Sequence, residues 1–244
     1  MRVIGNELGL YSDEVETNLA KQTEQPGHAV LDKVIDELPL TAADRSALAK
    51  YIIVLWKRVP VAKERSLSRM PVIMDEVHDE LMAEIDAMVV DDPTFQEKAE
   101  SKRLEVTAYI DTLKADPPPS FWYDGFSLDE ITMSEETLLS MNWVFLRGGN
   151  NQFLTSDNPV FFFPSEGLGR LQSELTFPIS SSIALWATRL PRKQGLYMDA
   201  SLSVVRQINA RTAANSKRFV FSKTNDAWIK PFTIKGGWLL EHLI

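Results

Sequence analysis

The 244-residue chain is 44% apolar, 25% charged and 9% aromatic, a globular composition that excludes a disordered tail or a fibre. Its 26 lysines and arginines face 34 aspartates and glutamates, a net charge of −8, which disfavours a chain-wide grip on phosphate backbones and leaves nucleic acid only a local basic patch. The absence of cysteine excludes disulfides, thiolate metal sites, iron–sulfur clusters and cysteine nucleophiles. No segment approaches the roughly 18 uninterrupted apolar residues of a membrane span. The opening MRVIGNELG lacks the basic region and long apolar stretch of a secretory signal, and the location expected from these features is cytoplasmic.

Charge is unevenly spread, with 14 basic and 23 acidic side chains in residues 1–120 against 12 and 11 in 121–244. Up to about Ala115 the pattern is helical. Leu31, Val34, Ile35 and Leu38 recur at helical spacing after Pro26, a residue suited to a first turn. Thr41 with Asp44 resembles a capping box that opens a helix over Ala42–Val59, with Pro60 as its terminator. The apolar run Tyr51–Trp56 inside it implies burial on nearly all sides. Pro71 is expected to begin another helix, with Ile73, Val77, Leu81, Ile85 and Met88 as its apolar stripe. A further helix over about Thr94–Lys114 carries Leu104, Ala108 and Leu113 and stops at Asp116-Pro-Pro-Pro.

Beyond Pro119 the period changes. Asn142–Leu146, Gln152–Thr155, Val160–Phe163, Glu174–Ile179, Ile183–Thr188 and Arg218–Ser222 are short, β-branched or aromatic, and bounded by turn residues. They predict one mainly antiparallel sheet, interrupted by helices around Asp129–Met141 and Leu202–Ser216. The fold class expected is α+β: a helical region over 1–115 packed on a β-rich region over 116–244 with a late helix, as one cooperative unit.

The segment Gln152–Val160 breaks a strand with a polar tetrad, Thr155-Ser-Asp-Asn158. One reading is a turn in which Ser156 and Asp157 bond nearby backbone and Pro159 pushes Asn158 out of the helical region. The other sets Asp157 and Asn158 at a strand end, where a carboxylate and an amide orient a water, a metal or a hydroxyl. Alternation aims Glu174 and Thr176 away from Leu175 and Phe177. Glu174 then joins Asp157 as a carboxylate pair if their strands are neighbours, or remains a surface residue. Such a pair is compatible with a divalent metal, although no ligand motif indicates one.

Asn209, on the edge of the Leu202–Val205–Ile208–Thr212 stripe, either satisfies strand backbone or braces the Asp157 turn. Arg58, in the run Lys57-Arg-Val-Pro60, offers a guanidinium for a carboxylate or phosphate, or simply caps a helix end. Arg206, Arg211, Lys217 and Arg218 form a basic cluster that suits a helix carboxyl end or an anion. Phe121–Phe126 is read as a buried linker or a stacking lid. Histidines 28, 78 and 242 belong to no ligand motif, and the glycine-rich phosphate loops and the Gly-x-Ser-x-Gly elbow are missing.

With these residues in view, the chain resembles the bacterial DUF4238 family, a group without an established activity. The resemblance rests on Glu24…Val30-Leu-Asp-Lys-Val-Ile35, Arg58-Val-Pro60, Phe153-Leu-Thr-Ser-Asp-Asn-Pro-Val160, Phe177-Pro-Ile-Ser180 and Asn209…Arg218-Phe-Val-Phe-Ser222, with Thr155–Pro159 the most specific segment. The family usually begins with a His-Tyr-x-Pro segment and a strand, which this sequence does not show. The resemblance implies one constellation of Asp157, Asn158, Arg58 and Asn209.

The functional expectation is a polar pocket in which Asp157, Asn158 and Glu174 are catalytic and Arg58, Asn209 and Ser156 bind substrate, in a hydrolase or nuclease-like effector. The alternative is a non-catalytic regulatory module whose acidic helical half contacts a protein partner. A third reading is nucleic-acid binding through the late basic cluster.

Overall fold

The computed structural model describes residues 20–118, 128–163, 165–191, 195–234 and 239–243. The Phe121–Phe126 stretch lies outside them. The chain divides into two compact units, one built from Met1–Val59 and Ser127–Ile244, the other from Pro60–Phe126.

In the first unit a π-helical turn, Ala20–Glu24, leads into α1, Gln25–Ile35, with Pro26 in its first turn. The chain leaves α1 through Glu37, which sits at φ 56°, while the Leu38 amide bonds the Lys33 carbonyl and the Glu37 amide bonds that of Val34. That left-handed position usually goes to glycine. Here the Glu37 carboxylate is tied to Arg147 by two hydrogen bonds of 2.6 Å, a bidentate contact that anchors the turn.

Helix α2, Ala42–Lys57, opens with both halves of the expected capping box: Thr41 Oγ1 accepts from the Asp44 amide, and the Asp44 carboxylate accepts from the Thr41 amide. Its apolar run is buried as expected, from Tyr51 to Leu55. A methyl on Gly27 would sit 2.6 Å from the Tyr51 side chain, so only glycine allows α1 this close to α2.

Strands β1 (Asn142–Arg147), β3 (Phe161–Phe162), β4 (Glu174–Pro178), β5 (Ile183–Thr188) and β6 (Tyr197–Asp199) form one sheet in the order β3-β4-β5-β1-β6. Its pairs are antiparallel except for β1 with β6. The β6 strand, too short and mixed in its pattern to read as a strand, was not expected. A second, two-stranded ribbon pairs β2 (Thr155–Ser156) with β7 (Val220–Phe221). The single sheet anticipated from the sequence is therefore two, because the polar tetrad turns the chain out of the main sheet.

Alternation along the strands builds a core on each sheet face. Phe145, Leu175, Phe177 and Leu185 pack with α1, α2 and α5 (Leu128–Leu139). Val144, Leu146, Ala184 and Trp186 pack with Val205 and Ile208 of α6 (Leu202–Asn215). The architecture is α+β, with the sheet between helical layers.

The second unit is a hairpin of α3, Pro60–Asp91, and α4, Gln96–Ala115, joined through an Asp92-capped 3-10 turn. Two expectations are corrected. Pro60 starts α3, and Pro71 lies inside α3 instead of opening it, because a proline costs an interior helix one amide donor without forcing a break. Leu104 is 73% exposed, and the buried residues of α4 are Ala99 and Ile110, a face offset from the expected stripe. Arg103–Asp86 and Lys114–Asp75 ion pairs link the two helices.

Candidate functional site

The polar tetrad folds into a tightly bonded turn. Asp157 Oδ1 accepts from the Lys217 amide at 2.9 Å, and Oδ2 accepts from the Arg218 and Phe219 amides at 2.7 and 3.2 Å. These amides follow the end of α6, so the carboxylate binds successive backbone donors as an anion does. The Ser156 hydroxyl accepts from the Asn158 amide, and Asn158 exchanges side-chain-to-carbonyl bonds with Asn215 at 3.0 and 2.8 Å. Asn209, 1% exposed, accepts from the Leu154 amide and donates to the Gln152 carbonyl. Together these bonds clamp the approach to β2 onto α6 and onto the approach to β7.

Glu174 stands elsewhere. Its strand pairs with β3 and β5, whereas Asp157 follows β2 in the ribbon, so their strands are not neighbours. Nor is Glu174 a surface residue: it is fully buried, with Arg211 Nη2 2.7 Å from Oε2. Burial pulls the Arg211 guanidinium below its ordinary range, opposed by its bond to Glu174, and the Phe161 and Phe163 rings lie 5.5 and 5.0 Å from it. Glu174 also accepts from the Leu243 amide at 3.1 Å, Arg211 donates to the Glu241 carbonyl, and His242 bonds Glu166 at 3.1 Å. The pair is thus a buried anchor for the segment Leu239–Leu243.

Its burial also divides the basic cluster, since Arg211 is inside while Arg206, Lys217 and Arg218 are exposed. Arg58 caps the end of α2, 9% exposed, and pairs with Glu24. The structure thus joins Ser156, Asp157 and Asn158 in one turn and sets Asn209 on the segment leading into it. Glu174 and Arg58 have separate partners. Among the described residues, no group of three or more His, Cys, Asp or Glu is placed to hold a metal ion.

A cleft of about 700 Å³ opens beside the ribbon. Helix α1 supplies His28, Leu31, Asp32 and Ile35; α2 supplies Tyr51 and Leu55; the β4–β5 turn supplies Phe177 to Ser181; and the ribbon supplies Phe153, Thr155, Phe221, Ser222 and Lys223. The His28 ring stands edge-on to Tyr51 at 5.3 Å, and Tyr51 lies 6.4 Å from Phe177. Burial raises the Tyr51 phenol above its ordinary range, helped by the Glu24 charge, which keeps it a neutral donor. The volume and the mix of aromatic floor with few polar groups match small-molecule sites, roughly 300–1,000 Å³. Sequence reasoning passed over His28, Asp32 and Lys223. The signal available was the four-residue spacing of His28 and Asp32, which sets both on one helical face.

Among the described residues no helix is long and apolar enough to cross a membrane. The model of a family described as "Protein of unknown function (DUF4238)" matches residues 4–226. No curated protein and no solved structure matches the chain. The match spans nearly the whole sequence, and the chain belongs to this family.

Proposed function

We propose that this member of the DUF4238 family binds a small organic ligand in the cleft lined by α1, α2, the β4–β5 turn and the β2–β7 ribbon, with the Asp157–Asn158 turn as the brace that shapes one wall. One observation carries the proposal. Of the five segments on which the family resemblance rests, four supply lining residues: Leu31, Asp32 and Ile35; Phe153 and Thr155; Phe177 to Ser180; and Phe221 with Ser222.

The geometry supports a brace at Asp157 over a general base or metal ligand, because both carboxylate oxygens already accept backbone amides. A hydrolytic activity would have to use the cleft's own His28, Asp32 and hydroxyls. A reducing cytoplasm suits a chain with no cysteine, and the proposal assigns the protein there. The test is fluorescence of the neutral probe N-phenyl-1-naphthylamine. Wild type brightens it, and Ser181→Trp, which sets an indole against the aromatic floor in the probe's place, abolishes the signal at unchanged melting temperature. Equal brightening by both proteins overturns the proposal.

A second reading, a protein partner on the acidic helical part, is favoured by the hairpin's charge. Pro60–Phe126 holds 7 basic and 15 acidic side chains, a net −8 that equals the charge of the whole chain. Val72, Val90, Leu104 and Tyr109 are 60–80% exposed on it. A partner with a basic amphipathic surface fits such a face. Partner recruitment unchanged by Glu76→Lys with Glu80→Lys would remove this reading.

A further inference from the structure

We infer that the ligand of the cleft is a zwitterion with an apolar body and separated charges, of which a short apolar peptide with free termini is the simplest form. The inference rests on the proposed binding role of the cleft and adds the chemical class of its ligand. One acidic and one basic side chain line the cleft: Asp32, on α1, and Lys223, just past β7. They come from different elements, and among the described residues neither takes part in an ion pair or side-chain hydrogen bond. The other charged groups near the walls are engaged: Lys33 with Asp44, and Arg58 with Glu24.

Beside these two charges the lining includes the apolar and aromatic side chains of Leu31, Leu55, Phe153 and Phe177. The hydroxyls of Thr155, Ser181 and Ser222 add neutral donors and acceptors along the wall.

Opposite charges on one cleft select for charge in the ligand. A purely apolar molecule leaves both ions unpaired, and an anion or a cation satisfies one while facing the other's like charge. A free α-amino acid offers the same two charges but only one side chain to the apolar lining. A peptide separates its termini along an apolar chain. Its ammonium meets Asp32, its carboxylate meets Lys223, and its side chains lie against the aromatic floor.

The test measures the affinity of the dipeptide Leu-Phe, its N-acetyl form and its C-terminal amide for wild type, Asp32→Asn and Lys223→Gln by titration calorimetry at low salt. Both substituted residues are exposed and, among the described residues, without a side-chain partner, so the variants fold. Wild type binds the free dipeptide about fivefold more tightly than either blocked form, the size of one partly solvated charge contact. Asp32→Asn erases the preference against the N-acetyl form alone, and Lys223→Gln erases that against the amide alone. Blocked forms that bind as well as the free dipeptide, or preferences that survive both substitutions, overturn the inference. If Leu-Phe fails to bind while Ser181→Trp still abolishes probe fluorescence, the zwitterion is wrong and the cleft stands. If the probe signal is also insensitive to Ser181→Trp, both fall together.

Discussion

The sheet-containing unit and the helical hairpin reach stability by different routes. The first is electrically balanced, since the hairpin holds the entire net charge of −8. Its sheet is covered on both faces by helices, and the buried Glu174 and Arg211 charges are paired with each other. The hairpin buries few side chains and leans on exposed ion pairs such as Arg103–Asp86 and Lys102–Glu105, which solvent screens. The contrast teaches where a substitution should hurt. In the balanced unit stability hangs on a few irreplaceable contacts, whereas the hairpin tolerates change except at its few buried positions.

The largest effect is expected at Glu174. Glu174→Ala strands the Arg211 charge in the interior and lowers unfolding stability by about 3–5 kcal/mol, whereas Glu174→Leu with Arg211→Met costs much less because it removes both charges. Urea denaturation of the single and double variants measures the difference. Equal losses would show that the pair is not the anchor.

Next in size is a contrast within the hairpin. Ile110→Ala, at 3% exposure, costs about 2–4 kcal/mol, while Leu104→Ala, at 73% exposure, stays within about 0.5 kcal/mol. Similar melting temperatures for the two variants would break the assigned helix face.

Asp157→Ala leaves three amides without their acceptor and costs about 2 kcal/mol. Asp157→Asn retains one oxygen but turns a donor toward amides that need an acceptor, so it recovers only part of that loss. Full stability in the asparagine variant would return Asp157 to a simple turn residue.

The smallest effect lies at the α2 cap, where Thr41→Ala costs about 1 kcal/mol. Lys33 and Thr41 hold the Asp44 carboxyl down to about 2, below the roughly 3.9 of an unfolded chain. Its contribution is present above pH ~4 and is lost as pH falls through ~2. Acid titration of stability should therefore flatten over that window in Asp44→Asn.

These contrasts follow how much of the molecule could be read from its residues. The Thr41–Asp44 cap, the buried Tyr51–Leu55 run and strand Ile183–Thr188 were legible because each is a local pattern with a local cause. The ribbon and the burial of Glu174 were not, since each depends on a distant partner, and Pro71 lies inside a helix it was expected to open. For Glu174 that partner is Arg211, and a sequence separation of 37 hides the contact from any period in the sequence. Asn209 bonds the backbone of Gln152 and Leu154 on the approach to β2, the structural one of the two roles its place on α6 allowed. The cleft was missed because its walls come from four separate stretches of chain.

On the proposed function the cleft, and neither the Asp157 turn nor the hairpin, receives the ligand. Backbone amide shifts recorded during titration with N-phenyl-1-naphthylamine test it most directly. The predicted result is a set of perturbations confined to residues 28–35, 51–55, 153–155, 177–181 and 221–223, the walls of the cleft. Perturbations centred on Asn158, Arg211 and Asn215, or spread along residues 60–116, would contradict it.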